Sequence, residues 1–243
     1  MNMSEIECDF VVDSGNSCFK VGKIENSSIT EVKRYTSEQL SELLELISGK
    51  KIIISHVGSE KTYNSIKKKC TILFRLVNDM NFPFQSEYQT MESWGVDRAC
   101  NMVAAHEFYP NQNVLVVDIG TCIKFDLMNS NGVYQGGSIS PGIKLRFLSL
   151  HEGTAKLPLL DPTSDYNLIG KSTNESITNG IMKGLEREIK GLIKSYKKKN
   201  KHLRIIVTGG DLFYFDFKQK SNIFADENLT LKGLYQLYLF NAQ

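Results

Sequence analysis

The feature of this sequence that most restricts its fold is a structural unit that occurs twice. In each copy an apolar run ends at an Asp-x-Gly turn, and two strand-like stretches joined by a second turn follow. Asp13 and Asp118 hold the same position in the two copies. Later in each copy a helix-like segment precedes a further apolar strand that ends at glycine. This order predicts an α/β protein with two related lobes, each a mixed sheet with flanking helices.

The two lobes are predicted to divide near Pro110. We expect the first lobe at residues 1–110 and the second at residues 111–243, with the joint in the Asn-Gln-Asn stretch that follows Pro110. Within the second lobe, Asn-Gly at residues 131–132 predicts a tight hairpin turn. Apolar residues at helical spacing over residues 177–196 predict a long amphipathic helix.

Composition excludes several classes of protein. Hydrophobic residues make up 41% and charged residues 23% of the 243 residues, which is typical of a folded globular chain. No apolar run is long enough to span a bilayer, and the first residues do not have the order of a secretory signal. The five cysteines include no Cys-x-x-Cys pair, and the four histidines have no zinc-binding spacing. We therefore expect a cytoplasmic protein with reduced thiols and no membrane partner.

The charge pattern gives little support for a nucleic-acid partner. The net charge is +2, and the basic residues cluster in two lysine runs at residues 67–69 and 197–201. Such runs could contact phosphates, but cations are also favoured at the carbonyl end of a helix. Solvated helix ends are the preferred interpretation, and no nucleic-acid binding is expected.

The repeated Asp-x-Gly turns predict phosphate chemistry. A strand that ends at an aspartate places its carboxylate at the edge of the sheet where ligands bind in open α/β sheets. The following glycine lets the backbone approach a phosphate, and Asn16, Ser17 and Thr121 could donate hydrogen bonds. Lys20 could reach the phosphates as a cation. Two such loops are typical of proteins that hold a nucleotide and its Mg²⁺, whereas a single one is most often a plain turn.

Residues 95–98, Gly-Val-Asp-Arg, precede a segment with helical apolar spacing. A carboxylate at a helix N-terminus beside an arginine could accept a proton from a substrate hydroxyl, which makes Asp97 a candidate base. The alternative is a helix cap with a surface arginine. Two glycine-rich segments, residues 136–142 and 207–211, could approach a ligand closely, although a hairpin end and a strand-to-helix turn explain them equally well.

Together these segments resemble the type III pantothenate kinases, which belong to the superfamily of acetate kinases, sugar kinases, heat-shock ATPases and actin. The matching stretches follow the family's order over most of the chain: residues 13–20, 87–98, 118–126, 136–143, 154–158, 170–180 and 207–211. The resemblance implies actin-like (RNase H-like) lobes. It also implies ATP-dependent phosphorylation of pantothenate to 4'-phosphopantothenate, the first step towards coenzyme A, by a homodimer whose interface borders the active site.

The resemblance also assigns roles to individual residues. Asp97 would be the proton acceptor, Asp13 would lie near Mg²⁺, directly or through water, and Asp118 would bind a monovalent cation, K⁺ or NH₄⁺. The ATP contacts would be Asp13, Ser14, Gly15, Asn16, Ser17, Cys18, Phe19, Lys20 and Thr121. The pantothenate contacts would be Tyr88, Gly95, Val96, Asp97, Arg98 and Thr173.

Two positions depart from the family pattern, and two other functions remain open. Ser17 stands where threonine is usual and keeps the hydroxyl, whereas Lys156 replaces an arginine, so a bidentate anion contact is not expected there. The residues by themselves predict only a two-lobed phosphotransferase or ATPase, because the substrate comes from the resemblance alone. A kinase of another small hydroxylated substrate, such as a sugar, and a non-catalytic regulator of the same fold are the alternatives.

Overall fold

The computed structural model forms two compact units. The residues that it describes are 8–15, 18–77, 80–217 and 223–242. The first unit comprises the described parts of Met1–Pro110 and Asn228–Gln243, and the second unit is built from Asn111–Glu227. The chain thus passes from one unit to the other directly after Pro110, at the expected joint. Residues beyond 227 group with the first unit, although the second lobe was expected to continue to the end of the chain.

The first unit is a five-stranded mixed sheet with helices on both faces. Its strands are β1 (Phe10–Ser14), β2 (Cys18–Glu25), β3 (Ser28–Thr36), β4 (Lys51–His56) and β5 (Thr71–Arg75), with a short strand β6 (Gln85–Ser86) outside this sheet. Its helices are α1 (Leu40–Leu46), α2 (Glu60–Lys69), α3 (Val96–Phe108) and, from the C-terminus, α6 (Leu229–Asn241). The sheet order is β3-β2-β1-β4-β5, with β1 antiparallel to β2 and parallel to β4.

Alternation along β1 divides the interior of the first unit into two cores. Val11 packs with α3 and α6 on one face of the sheet, and Val12 packs with α1 and α2 on the other. Successive side chains of a strand point to opposite faces, so a strand buried on both faces must be apolar at every position before its functional end. The apolar run before Asp13 has this property, and it places the carboxylate at the sheet edge.

Helix α6 joins the first unit because it packs closely on α3. A Cβ on Gly233 would lie 1.8 Å from the carbonyl oxygen of Cys100, so only glycine allows this approach of the two backbones. Nearby, the Thr230 hydroxyl donates a hydrogen bond to Asn101 Oδ1 at 2.9 Å. The last helix of the chain therefore supports α3, which begins at the predicted substrate motif.

The second unit repeats the sheet of the first. Its elements are β7 (Val114–Ile119), β8 (Cys122–Met128), β9 (Val133–Pro141), α4 (Ile143–Glu152), α5 (Thr173–Lys199), β10 (Arg204–Thr208) and β11 (Ile223–Ala225). These strands lie in the order β9-β8-β7-β10-β11. Strand β7 is antiparallel to β8 and parallel to β10, which is the arrangement of β1, β2 and β4 in the first unit. The predicted mixed α/β sheet with flanking helices is confirmed in both units.

Helix α5 confirms the predicted long amphipathic helix. It runs over Thr173–Lys199 and buries its apolar stripe, Ile177 to Ile193, against the sheet with Phe147 of α4. Its start is capped by Ser172, whose hydroxyl accepts the N–H of Glu175 at 3.2 Å. Its last turn carries Lys197–Lys199, so this lysine run lies at a helix end, as preferred.

The first lysine run and the hairpin turn lie where the sequence predicted them. The first lysine run closes α2 in the same way. The hairpin turn forms between β8 and β9, where Gly132 has φ +71°. No helix in the described part of the chain combines the length and apolarity needed to cross a bilayer.

Candidate active site

The first Asp-x-Gly loop follows β1 in the first unit. Asp13 is half-buried at the strand end, in register with Lys20 of β2 and Ser55 of β4. The Gly15 N–H donates to the Cys18 carbonyl at 3.0 Å, which closes the loop. A Cβ on Gly58, after β4, would lie 3.4 Å from the Gly15 carbonyl oxygen. The predicted ATP contacts Asn16 and Ser17 lie outside the described residues.

Two other predicted ATP contacts, Ser14 and Phe19, have side chains that are buried in the first unit. Ser14 is fully buried, and its Oγ lies 2.8 Å from His56 Nδ1. His56 Nε2 donates to the Ser59 carbonyl at 3.1 Å, so in the neutral ring Nδ1 accepts the Ser14 hydroxyl. Phe19 is buried among the core residues on the α1 and α2 side. Cys18 is exposed and Lys20 is half-buried.

The predicted substrate motif forms the start of α3. Gly95 is the N-cap, with φ −61° and ψ 130°, and Asp97 lies in the first turn. The Arg98 N–H donates to Asp97 Oδ1 at 2.8 Å, which orients the carboxylate at the positive end of the helix dipole. A Cβ on Gly95 would come within 2.9 Å of the same oxygen. Glycine at this position therefore makes room for the carboxylate.

Arg98 is buried, so the alternative of a helix cap with a surface arginine is wrong. Its side chain is part of a cluster with Tyr88, whose hydroxyl accepts a hydrogen bond from Arg98 Nη1 at 3.4 Å. The guanidinium carbon lies 5.3 Å from the centre of the Tyr88 ring. The Tyr88 ring in turn lies 6.3 Å from the ring of Trp94, which is buried against Phe82 and Phe84. Tyr88 and Arg98, two of the predicted pantothenate contacts, therefore contact each other, and the aromatic cluster around Trp94 supports them.

Cys100 of α3 is buried in the core beside β1, the strand that ends in the first Asp-x-Gly loop. Burial raises the pKa of Cys100 well above its ordinary value, and the negative charges of Asp13 and Asp97 raise it further. Cys100 packs in the same apolar cluster as Val11, two residues before Asp13, and lies three residues after Asp97 on α3. The end of β1 and the start of α3 therefore adjoin the same core of the first unit.

The second Asp-x-Gly loop follows β7 in the second unit. Asp118 is buried, and its Oδ2 lies 2.8 Å from the Nζ of Lys124, its register partner on β8. The two side chains are 12% and 13% exposed, so the ion pair is largely shielded from water. Thr121, the predicted ATP contact of this loop, is exposed.

Both glycine-rich segments of the second unit pack against this loop. A Cβ on Gly142, at the start of α4, would lie 2.0 Å from the Gly120 carbonyl oxygen. Gly209, after β10, has φ +105°, and a Cβ there would lie 2.2 Å from the Ile119 carbonyl oxygen. The Asp211 N–H also donates to that carbonyl at 2.9 Å. These glycines were expected to allow close approach to a ligand. In the structure they allow close approach to the backbone of the second Asp-x-Gly loop.

Charged residues that were not among the predicted site residues interact with Asp118 or with its neighbour Asp211. Burial raises the pKa of Asp211 above its ordinary value, the negative charge of Asp118 raises it further, and Lys144 acts in the opposite direction. Lys124 gave a partial signal, because it lies in the strand-like stretch after the second Asp-x-Gly turn, but only the structure sets its register opposite Asp118. Asp211 and Lys144 gave no such signal, because tertiary packing brings their segments to the loop.

The remaining predicted residues lie around the start of α5. Thr173 is the first residue of α5, is exposed, and lines an open groove of about 710 Å³. The groove is formed by Leu150, Leu157, Gly170, Lys171, Ser172, Thr173, Ser176 and Ile177. Lys156 is exposed nearby, and His151 Nδ1 donates to the Leu157 carbonyl at 2.8 Å, which is a structural role.

The donor atoms of the site suit a hard cation that is bound mainly by phosphates. No group of three or more His, Cys, Asp and Glu side chains that could hold a metal occurs in the described ranges. Mg²⁺ needs only one or two protein carboxylates when substrate phosphates and water complete its coordination. The half-buried carboxylate of Asp13, at the mouth of a backbone loop, fits that requirement.

Two units with the same strand order, each with an acid and a glycine after its central strand, define an actin-like two-lobed α/β protein. The family model of type III pantothenate kinases matches residues 10–195. The chain belongs to the type III pantothenate kinase family. It is 40% identical over 240 residues to the type III pantothenate kinase of Christiangramia forsetii, covering 96% of this chain and 98% of the relative.

Other relatives agree with this membership and with the fold. The type III pantothenate kinase of Bacteroides fragilis is 38% identical over 239 residues, covering 96% of this chain and 98% of that one. Among solved structures, a Campylobacter jejuni protein described as a Baf-family transcriptional activator has a TM-score of 0.61 at 20% identity. The alignment covers 96% of this chain and 98% of that chain, and at this identity it shows the fold alone.

Proposed function

We propose that this protein transfers the γ-phosphoryl group of ATP to the primary hydroxyl of pantothenate, which gives 4'-phosphopantothenate for coenzyme A synthesis. The observation that carries the proposal is the start of α3, where the Arg98 N–H orients the Asp97 carboxylate and the buried Arg98 side chain contacts Tyr88. It supports an oriented proton acceptor beside a cation that can bind a carboxylate substrate. Membership of the type III pantothenate kinase family supplies the substrate.

Asp97 is the proposed proton acceptor. Its Oδ1 is oriented by the Arg98 N–H, and the carboxylate lies at the head of a helix that is packed on its far side by α6. Phosphoryl transfer depends mainly on positioning and on charge neutralisation, so a single oriented base is sufficient. The rigid support of α3 is what allows Asp97 to fulfil this role.

Arg98 and Tyr88 are the proposed anchors of the pantothenate carboxylate, with Gly95, Val96 and Thr173 as further contacts. The planar guanidinium of arginine matches a carboxylate with two parallel hydrogen bonds. The Tyr88 ring beside the guanidinium limits its orientations, so less entropy is lost when substrate binds. Burial of Arg98 strengthens this recognition, because water competes less for its donors.

The loop after β1 is the proposed site of the ATP phosphates. Its backbone N–H groups and Lys20 would contact phosphate oxygens, and Asp13 would hold Mg²⁺ directly or through water. Bound Mg²⁺ neutralises charge that develops on the phosphates. Thr121, on the second loop, is the proposed ATP contact of the second unit. The monovalent cation expected at Asp118 stays a prediction, and the ion pair of Asp118 with Lys124 argues against it.

A cytoplasmic homodimer without nucleic-acid or membrane partners is the proposed state of the protein. Exposed apolar side chains on the second unit support association of two chains, including Leu168 at 78% and Ile169 at 75% exposure. Light scattering of the purified protein tests this state. A monomer at all concentrations would contradict it.

The test of the function is a substrate comparison. The purified protein is incubated with Mg-ATP and either pantothenate or a panel of sugars, and the products are identified by mass spectrometry. We expect phosphopantothenate and no sugar phosphate. Transfer to a sugar alone would support the alternative kinase. Absence of any transfer, together with DNA retardation at physiological salt, would support a regulator.

A further inference from the structure

The ion pair of Asp118 and Lys124 occupies the position at which the family resemblance implies a monovalent cation. Lys124 Nζ lies 2.8 Å from Asp118 Oδ2, and both side chains are close to nine-tenths buried. The two residues are direct partners in the antiparallel pairing of β7 with β8, so the backbone sets their separation. The carboxylate is therefore already neutralised by a cation that belongs to the chain.

The surroundings of this ion pair do not fit an additional K⁺ or NH₄⁺. Monovalent cations bind where oxygen atoms replace water and where negative charge is not already compensated. Here the ammonium of Lys124 is bound to the carboxylate, and Lys144 adds a second positive charge that acts on Asp211. A third cation beside Asp118 would be repelled by Lys124 at close range.

We infer that Lys124 acts as a built-in monovalent cation, so that this kinase needs no added K⁺ or NH₄⁺. The side-chain ammonium has the charge and hydrogen-bonding chemistry of NH₄⁺, but the strand holds it in place. Lys124 is a positioning residue in this role, since it acts through Asp118 and the loop that ends at Thr121. The inference rests on the proposed function.

The test compares cation dependence in the wild type and in Lys124 variants. Initial rates of phosphopantothenate formation are measured in K⁺, NH₄⁺ and tetramethylammonium chloride at equal ionic strength, with ATP and pantothenate as tetramethylammonium salts. We expect wild-type rates to differ by less than about twofold between these salts, because a screening effect alone would remain. Strong activation of the wild type by K⁺ or NH₄⁺ would overturn the inference.

Lys124→Ala should convert the protein into a cation-dependent enzyme. In tetramethylammonium its turnover should fall at least about tenfold, and K⁺ or NH₄⁺ should restore most of the loss, because the emptied space lets a small cation reach Asp118. Lys124→Arg retains the charge and should remain independent of added cation. Loss of activity in Lys124→Ala that neither K⁺ nor NH₄⁺ restores would contradict the built-in cation.

Two controls separate this role from a structural one. Lys183→Ala removes another lysine of the second unit, which pairs with Glu186 at 2.8 Å on α5, and should leave both rate and cation independence unchanged. Thermal unfolding supplies a readout other than activity. K⁺ should raise the unfolding temperature of Lys124→Ala relative to tetramethylammonium but not that of the wild type. A wild type that made no product in any salt would contradict the proposed function. The unfolding temperature tests the inference separately, because a higher unfolding temperature of the wild type in K⁺ would overturn it.

Discussion

Arg98 and Tyr88 are joined in the first unit by a hydrogen bond of 3.4 Å from Arg98 Nη1 to the Tyr88 hydroxyl. The guanidinium carbon also lies 5.3 Å from the centre of the Tyr88 ring. The contact folds the segment before α3 back onto the first turn of that helix. Two residues that the family resemblance assigns to pantothenate thus orient each other before any substrate binds, and this arrangement leads to the first prediction.

Tyr88→Phe should weaken pantothenate binding without affecting the chemical step. The phenylalanine keeps the ring beside Arg98 but removes the oxygen that accepts its hydrogen bond. We expect KM for pantothenate to rise about fivefold, while kcat changes by less than about twofold. Steady-state kinetics at saturating ATP measures both values.

A matched control for this variant exists in the same unit. Tyr63 lies beneath the guanidinium of Arg75, 3.8 Å from the ring centre, at a distance in sequence from the substrate motif. Tyr63→Phe should leave both constants unchanged. An unchanged KM in Tyr88→Phe as well would remove Tyr88 from the substrate site.

Asp97→Asn should abolish most of the turnover and leave the fold intact. The amide oxygen can still accept the Arg98 N–H, so the start of α3 is retained, but the side chain can no longer accept a proton. We expect kcat to fall about 10²- to 10⁴-fold. Stability should change by no more than about 1 kcal/mol, the contribution of a charge at a helix N-terminus.

The control for the loss of helix-end charge is Glu60→Gln. Glu60 also lies in the first turn of a helix, α2, and its side chain is 72% exposed. This variant should lose a similar helix-dipole interaction and keep normal turnover. Near-normal activity of Asp97→Asn would show that another group receives the proton.

Gly233→Ala should destabilise the first unit and lower activity as well. The new Cβ would lie 1.8 Å from the Cys100 carbonyl oxygen, so α6 must move away from α3. We expect a loss of about 1–3 kcal/mol in the free energy of unfolding, together with reduced turnover because α3 carries Asp97. Urea unfolding followed by circular dichroism measures the stability.

Gly184→Ala supplies the comparison for this change. Gly184 lies within α5 and is exposed, and a Cβ there would meet no atom within 4 Å outside the helix's own backbone. Alanine at this position should stabilise the protein by about 0.5–1 kcal/mol, because it reduces the freedom of the unfolded chain. Equal effects of the two substitutions would contradict the close α3–α6 contact.

The protein should lose stability at alkaline pH. Burial raises the pKa of Cys8 and Cys70 to about 11, from an ordinary value of 9.0, and raises that of Cys100 well above this value. The unfolded chain therefore releases these protons at lower pH than the folded chain. The stabilisation is complete below pH 9 and is lost as the pH rises through about 11.

Urea unfolding at a series of pH values tests this dependence. Cys70→Ala should make the alkaline decline less steep, whereas Cys18→Ala should not change it, since Cys18 is exposed. Tyrosines whose pKa values are raised by partial burial, such as Tyr196, act in the same direction. A free energy of unfolding that stayed constant above pH 9 would contradict the burial of these thiols.

Features that depend on local patterns could be predicted from the amino-acid sequence. The duplicated strand and Asp-x-Gly units, the turn at Gly132 and helix α5 were all predicted, because strand alternation, turn chemistry and helical spacing are written within a few residues. The start of α3 at the Gly-Val-Asp-Arg motif was predicted for the same reason. The roles of Asp13, Asp97 and Asp118 in catalysis remain predictions.

The contacts between distant segments could not be predicted in this way, because they form only when the chain packs. The packing of α6 on α3 at Gly233, the burial of Arg98 beside Tyr88, and the packing of Cys100 with Val11 had no local signal. Such contacts depend on how apolar faces of separate elements pair, and many pairings satisfy the same local pattern. The ion pair of Asp118 and Lys124 is a further contact of this kind. Strand register and burial together, rather than residue type, place the ammonium against that carboxylate.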